Sequence, residues 1–234
     1  MIYQYLASLL LTVFAVVRSS SPSNGGTVAA LGGRGFAIIA ADTRHSDGYT
    51  IRSRTKSRIT PVSLRTCLSS AGCSADTSAL HRLMKRQARE HEWNYESGLS
   101  TQALAQKFSR TLYSQRFSPY HAFSVVAGLD DDGFGACFVY DAVGSFERSG
   151  ALCAGSAHAL LQPILDRLLP KSSAPATESA AHLVVDASLD VALRTIKEGF
   201  QAAAERDIFL GDSIEISIID VNGIRTEVFK LPRR

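Results

Sequence analysis

Apolar residues in this 234-residue chain fall into short runs separated by turn residues. Runs of four to eight such residues predict strands, and apolar spacings of three and four predict helices. Strands are predicted at 27–31, 35–41, 49–59, 62–71, 122–129, 135–141, 144–149, 213–220 and 224–230. Helices are predicted at 74–96, 100–115, 157–168 and from 189 onward, the last one capped by Asp186 or Ser188. The order is therefore strands, two helices, strands, two helices, strands.

The first two strands are apolar almost throughout, which is typical of strands covered on both faces of a sheet. Asp130–Gly133 and Asn222-Gly223 provide the turn residues of two hairpins. Ser74 is a predicted N-cap for the first helix. A layered α+β fold with internal sheets follows from this pattern.

Two groups of basic residues stand out against the apolar pattern. On a strand at 49–59 the even-numbered residues share one face, which predicts a solvated or subunit-facing edge rather than a groove for an acidic partner. In the first helix the cations lie opposite the apolar stripe, as on a solvated helix surface, although in an oligomer they could meet an acidic neighbour. The two groups are Arg52, Arg54, Lys56 and Arg58, and Arg82, Lys85, Arg86 and Arg89.

Composition narrows the class of protein. With 45% hydrophobic residues the chain can bury the core of one domain, and a net charge of +3 is too small to indicate a nucleic-acid-binding protein. Four cysteines without a CxxC pair lie in apolar or small-residue segments, which favours buried, reduced thiols over two disulfides. They are Cys67, Cys73, Cys137 and Cys153.

Residues 1–17 are mostly apolar and precede Arg18 and a Ser/Pro/Gly/Asn linker at 19–26. The run is shorter than the roughly 20 residues of a membrane-spanning helix. Alone it favours a secretory signal, whereas a propeptide-like extension or a misassigned start codon fits the following domain better. We expect a leader and linker at 1–24 and one domain at 25–234.

Seven sequence strings, in order, resemble the beta subunits of the 20S proteasome, a family of N-terminal-nucleophile hydrolases. The resemblance covers roughly residues 24–231 and is closest to a non-catalytic member of the beta ring. It implies a four-layer αββα sandwich. The strings are Asn24–Thr27, Phe36–Ile39, Arg116–Tyr120, Gly128–Asp131, Tyr140–Ser145, Leu161–Asp166 and Ala203–Asp207.

The resemblance also implies which residues occupy the family's catalytic positions. Asp42 matches the acid that the family carries at the seventeenth position of the mature chain, within an Ala-Asp-Thr-Arg run. An ungapped count back from Asp42 places Gly26 at the first position, where the threonine nucleophile belongs, and Thr27 at the second. Glycine has no hydroxyl, so the nucleophile is absent. Arg58 replaces the family lysine, and arginine does not release a proton in the useful range, although Lys56 lies nearby. Leu210 replaces a serine.

Asp42, Ser156 and Asp207 retain the family residue types, but we expect structural roles for them. Asp42 would cap a turn and pair with Arg44, Ser156 would be the N-cap of the third helix, and Asp207 would fix the loop after the fourth helix. Without a nucleophile and base, such a set supports no covalent chemistry. No catalytic residue is therefore predicted.

The resemblance implies a non-catalytic subunit that joins other alpha and beta subunits in stacked seven-membered rings, in the cytoplasm and nucleus. A secreted protein of this fold is the weaker alternative for its location. No cofactor, metal, nucleic acid or membrane is expected. The histidines are scattered, and we expect them on surfaces; they are His45, His81, His91, His121, His158 and His182.

One enzymatic alternative stays open at this point. Cleavage after Gly26 would expose Thr27 as an N-terminal nucleophile with its own α-amine as base. The one-residue offset would move its hydroxyl by about 3.3 Å along the strand and onto the opposite face.

Overall fold

The computed structural model describes residues 24–169 and 184–232. The expected leader, apart from Asn24, lies outside the described residues, as do residues 170–183, which include His182. Within the described ranges, no helix has the length and apolar character needed to cross a membrane.

Twelve strands and four α-helices make up these ranges. The strands are β1 Thr27–Gly33, β2 Phe36–Asp42, β3 His45–Asp47, β4 Thr50–Ser53, β5 Ile59–Ser63, β6 Thr66–Gly72, β7 Ala122–Leu129, β8 Gly135–Tyr140, β9 Phe146–Arg148, β10 Ala151–Gly155, β11 Ser213–Asp220 and β12 Gly223–Lys230. The helices are α1 Ser74–Tyr95, α2 Thr101–Ser114, α3 His158–Leu165 and α4 Leu189–Ala204, and a 3₁₀ turn, Asp166–Leu168, follows α3.

The strands form two five-stranded antiparallel sheets and a small hairpin of β3 and β4. The first sheet has the order β10-β1-β2-β11-β12, and the second has the order β5-β6-β7-β8-β9. One apolar cluster lies between the sheets, a second joins the first sheet to α3 and α4, and a third joins the second sheet to α1 and α2. This arrangement confirms the four-layer αββα sandwich.

The position of β1 and β2 inside the first sheet explains why their sequences are apolar. Every residue of β1 and β2 is buried, because one face of each strand packs against the second sheet and the other against α3 and α4. The predicted hairpins are also present: Asp220 pairs with Gly223, and the amide of Asp130 donates to the carbonyl of Phe134 over 2.9 Å.

The predicted strand at 49–59 is wrong. Only Thr50–Ser53 forms a strand, and β5 begins at Ile59 after an irregular segment. The predicted strand at 62–71 is instead the end of β5, a turn and β6. The sequence pattern also missed β10, whose five residues are small or apolar and which pairs with β1.

The helices lie close to their predicted positions, but their N-terminal caps differ from expectation. Cys73 occupies the N-cap of α1 without a side-chain hydrogen bond, so Ser74 is the first helical residue. Ser188 does precede α4, again without a side-chain cap. All four cysteines are buried and free.

A buried polar chain connects α1 to the second sheet through His81. Its ring accepts or donates one hydrogen bond with the Thr60 hydroxyl and one with the Ser70 hydroxyl, both of 2.9 Å, and Ser70 bonds Ser124 over 2.7 Å. The expected surface location of His81 is therefore wrong. Burial, with a smaller contribution from Lys56, lowers the pKa of His81 from 6.5 to about 4.

The pKa of His81 predicts a loss of stability in acid. Between pH 6.5 and 4 the unfolded chain binds a proton at His81 that the folded chain does not, so the free energy of unfolding falls as the pH falls. The full effect is about 3 kcal/mol. Urea unfolding followed by circular dichroism, from pH 4.5 to 7, should show a weaker acid dependence in His81→Gln than in the wild type. Equal slopes in the two proteins would contradict this role.

Candidate functional site

The expected nucleophile position lies where the chain enters the first sheet. Gly25 and Gly26 have φ angles of +65° and +94°, which residues with side chains rarely adopt. The carbonyl of Gly26 accepts a 3.0 Å hydrogen bond from the amide of Ser156, just after β10. This hydrogen bond holds the main chain of Gly26 in place directly before strand β1.

The guanidinium group of Arg58 fills the space beside Gly26. A Cβ atom on residue 26 would overlap the carbon and two nitrogens of this group. Arg58 itself is buried and forms an ion pair of 3.2 Å with Asp42. Its Nε donates to the Asp42 carbonyl over 3.2 Å, and Nη2 donates to the carbonyl of Arg44. A buried charge needs such partners to offset its desolvation.

Asp42 joins the ion pair to the main chain of β1. Its Oδ1 accepts a 2.8 Å hydrogen bond from the amide of Thr27, while Oδ2 is buried without a partner. Burial raises the pKa of Asp42 to about 6, against the opposing effect of Arg58. The expected pair of Asp42 with Arg44 is not formed, since Arg44 pairs with Asp212 over 2.9 Å.

Ser156 and Asp207 meet on the other side of Gly26. The Ser156 hydroxyl donates to Asp207 over 2.5 Å, and the second carboxylate oxygen of Asp207 accepts from the amide of Phe209 over 2.9 Å. Asp207 thus links the loop after α4 to Ser156, and its expected role in fixing that loop stays a prediction. Ser156 is not the N-cap of α3, because Ala157 takes that position.

The structure thus brings the three retained residues together around Gly26 and Thr27. Leu210, at the position of the family's second serine, is buried in the apolar cluster under α3 and α4. That none of these residues is catalytic remains a prediction.

Thr27 is fully buried, one residue after the expected nucleophile position. Its hydroxyl accepts a 3.0 Å hydrogen bond from the amide of Ala157 and lies 3.4 Å from the Ser156 hydroxyl. Its own amide nitrogen is the donor to Asp42. The hydroxyl therefore stabilises the junction of β10 and α3.

The four cations at 52–58 do not share a face, contrary to expectation. Arg52 pairs with Asp47, Arg54 pairs with Asp212, and Arg58 is buried. Lys56 donates to the Ser74 hydroxyl at the start of α1. Burial lowers the pKa of Lys56, and the positive charge of Arg58 lowers it further. Each cation has a different partner, so no basic groove forms here.

Asn24 is an important residue that the sequence pattern did not reveal. Its carbonyl accepts from the amide of Ser46 over 3.3 Å, its Nδ2 donates to the Ser46 carbonyl over 2.9 Å, and its Oδ1 accepts from the amide of Ser74 over 2.7 Å. Its amide donates to the carbonyl of Gly72, whose own amide donates to Gly25, both over 3.3 Å. Asn24 and Gly25 therefore lie like an extra strand between β3 and β6.

A cleft of about 830 Å³ opens beside this segment. Gly26, Gly155 and Ser156 line one side, and Phe123 and Phe146 contribute apolar surface. Thr27 and Lys56 are not among its lining residues. Among residues 24–169 and 184–232, no three His, Cys, Asp or Glu side chains are placed to hold a metal ion. The cleft can accommodate apolar groups, but its wall at position 26 offers no hydroxyl.

Comparison with known proteins gives one consistent family. The sequence profile of the Proteasome family, described as "Proteasome subunit", matches residues 22–219. Proteasome subunit beta type-1 from Arabidopsis thaliana is 43% identical over 209 residues, which are 89% of this chain and 93% of the relative. The protein of the same name from Drosophila melanogaster is 38% identical over 89% of this chain and 88% of its own length. Proteasome subunit beta type-6 from Saccharomyces cerevisiae is 32% identical over 90% and 89%.

The overlap with Arg58 predicts that residue 26 tolerates no side chain. Gly26→Ala should lower the free energy of unfolding by about 2–5 kcal/mol, because left-handed backbone strain adds to overpacking against a buried guanidinium. In an Arg58→Lys background the cost should shrink by about 1–3 kcal/mol, as expected for residues in contact. Chemical unfolding of the four proteins measures this coupling.

Gly35→Ala is the matched control for the Gly26 substitution. Gly35 has a φ of +79°, and a Cβ there would meet nothing within 4 Å. It should cost only the backbone strain, about 1–2 kcal/mol, and show no coupling to Arg58→Lys. Equal costs for the two alanine substitutions would contradict the steric role of Arg58.

Proposed function

The chain belongs to the proteasome subunit family, and we propose that it is a beta subunit of the 20S core particle that has no catalytic site of its own. In this role it assembles with alpha and beta subunits in stacked seven-membered rings. It forms part of the wall of the chamber in which neighbouring subunits hydrolyse protein substrates delivered by ATP- and ubiquitin-dependent steps. Its place of action is the cytoplasm and nucleus, where this degradation occurs.

The observation that carries the proposal is the contact between Gly26 and Arg58. A threonine protease of this type needs a hydroxyl and a free α-amine on the same residue, with a proton-exchanging group nearby. Here the residue is glycine, and the buried guanidinium occupies the place of its missing side chain. Arginine stays charged and cannot act as a general base.

The environment of Thr27 supports the same proposal. Its hydroxyl is buried and already accepts the amide of Ala157, so a substrate carbonyl cannot reach it without opening the junction of β10 and α3. Its amide is held by the Asp42 carboxylate. These contacts suit a wall-forming subunit in which the former catalytic elements are structural.

Core particles purified through a C-terminal tag on this chain provide the test. An epoxyketone that reacts with N-terminal threonines should modify other subunits of the particle and leave this chain unmodified. Intact-mass analysis should find Gly26 and Thr27 still joined in this chain. A chain that begins at Thr27 and carries the epoxyketone would contradict the proposal.

A Thr27→Val variant gives a second measurement on the same particles. Valine keeps the shape of threonine and removes only the hydroxyl, so it should cost about 1–3 kcal/mol of stability through the unpaired amide of Ala157. The peptidase rates per assembled particle should equal those of the wild type. Loss of one peptidase activity at unchanged particle yield would instead identify Thr27 as a nucleophile.

A further inference from the structure

A serine and a lysine meet at the start of α1, apart from the residues that surround Gly26. The Nζ atom of Lys56 donates a hydrogen bond to the hydroxyl of Ser74, the first residue of the helix. Both residues are partly exposed, so small solutes reach the contact from solvent. Neither side chain has a part in the proposed function, so their pairing needs a separate explanation.

The main chain holds both residues in place. The amide of Lys56 donates to the carbonyl of Thr43 over 3.0 Å. The amide of Ser74 donates to Oδ1 of Asn24 over 2.7 Å, and the carbonyl of Ser74 accepts from the Thr77 hydroxyl over 3.2 Å. The amine and the hydroxyl therefore meet on two anchored segments of backbone.

The amine of Lys56 has no carboxylate partner within residues 24–169 and 184–232. Asp47, on β3, pairs with Arg52 over 2.8 Å. Asp76, in the first turn of α1, accepts a 2.9 Å hydrogen bond from the amide of His121. A partly buried ammonium group without a counterion loses hydration and gains no ion pair in return, which favours its neutral form.

The charged and titratable groups that face Lys56 come from its own segment, from β3 and from α1. Burial lowers the pKa of Lys56, the positive charge of Arg58 lowers it further, and Cys73 has the opposite effect. Burial, followed by the charge of Lys56, lowers the pKa of both His45 and His81. The histidines therefore stay neutral near pH 7, and the amine of Lys56 loses its proton more readily than that of an ordinary lysine.

The position of Ser74 adds to the reactivity of its hydroxyl. A neutral lysine amine accepts the proton of a serine hydroxyl and so activates the oxygen as a nucleophile. Ser74 also lies at the positive end of the 22-residue helix α1, which stabilises negative charge on that oxygen. Ser74 thus has a base in direct contact and a favourable electrostatic environment.

We propose that Ser74 is an acyl-acceptor site for small activated esters and thioesters, with Lys56 as its general base. The Ser74 oxygen attacks the carbonyl carbon, and its proton passes to Nζ of Lys56. The bond to the leaving oxygen or sulfur then breaks and an oxyanion or thiolate departs. The acyl group stays on Ser74 as an ester, and Lys56 releases the proton to water. A single acylation is not turnover, so this inference neither needs nor alters the proposed function.

Acetylation by p-nitrophenyl acetate tests the proposal. Core particles purified through the tag on this chain are first treated with the epoxyketone, which blocks the N-terminal threonines of other subunits. Peptide mapping by mass spectrometry should then find acetyl on Ser74 at least ten times faster than on Ser57. Ser57 is the matched control, because it is an exposed serine next to Lys56 whose hydroxyl instead donates to the carbonyl of Ile59 over 3.2 Å.

Three variants assign the roles of the two side chains. Ser74→Ala should abolish acetylation at this site, and Ser57→Ala should leave it unchanged. Lys56→Arg keeps the positive charge but cannot accept a proton, so it should slow acetylation of Ser74 at least tenfold. Thermal unfolding of each variant chain, compared with the wild type, checks that the fold is retained.

The pH dependence separates a base from a merely structural lysine. In the wild type, acetylation of Ser74 should rise with pH and begin to level off below pH 10.5, the ordinary pKa of lysine, because the folded chain lowers the pKa of Lys56. Equal rates at Ser74 and Ser57 in the wild type would overturn the inference. So would acetyl on Lys56 in the Ser74→Ala chain, which would make the amine itself the nucleophile.

The outcome does not depend on assembly. If the tagged chain does not co-purify with core particles, the proposed function fails, and the same mapping on the full-length chain alone still tests Ser74. If the chain co-purifies and Ser74 is not acetylated, only the acyl-acceptor site fails.

Discussion

The buried guanidinium of Arg58 determines how the surrounding site is built. A charge inside the protein requires acceptors on several sides, and here the Asp42 carboxylate and two main-chain carbonyls provide them. Because the guanidinium also fills the space beside residue 26, that residue has to be glycine. The glycine and the arginine are therefore one coupled feature, and neither can be exchanged for the family residue alone without a cost.

The rest of the site is arranged around this pair. Asp42 holds the amide of Thr27, and the amide of Ser156 holds the carbonyl of Gly26, so the start of β1 is fixed by residues at the ends of both its neighbouring strands, β2 and β10. Ser156 in turn is bonded to Asp207, which orders the loop after α4. Side chains of the types used for proton transfer in the family serve here as cross-links between β1, β10 and the α4 loop. The space beside Gly26 is filled by the Arg58 side chain, whereas the cleft next to it is open.

The layered fold could be predicted from sequence because its strands and helices have clear apolar periods and well-marked turns. The strand β10 could not, since five small or apolar residues between two turn-rich segments have no distinctive period. The segment at 49–59 has a clear period, since its cations alternate regularly, and this pattern predicts a strand. In the structure each cation instead binds a different partner, which are Asp47, Asp212, Ser74 and Asp42 for Arg52, Arg54, Lys56 and Arg58 in turn. Three of those partners lie at least 16 residues away in sequence from the cation that they bind.

The candidate site, too, could be predicted from the sequence only in part. The missing hydroxyl at Gly26 and the arginine at 58 are visible in the sequence, whereas their contact depends on a fold that joins positions 32 residues apart. The scattered histidines predict surface positions, but His81 is buried. Its burial becomes possible only because hydroxyls from two strands, at Thr60 and Ser70, meet both ring nitrogens.

Asn24 ties the segment before β1 to three other elements. One side chain and its backbone link β3, β6 and the first amide of α1, so the chain can be shortened up to residue 23 without removing any of these bonds. A cut one residue further on would leave buried donors and acceptors in three elements without partners at once. The removal of Asn24 therefore has a cost in stability that is set by hydrogen bonds to three separate elements rather than by the local sequence.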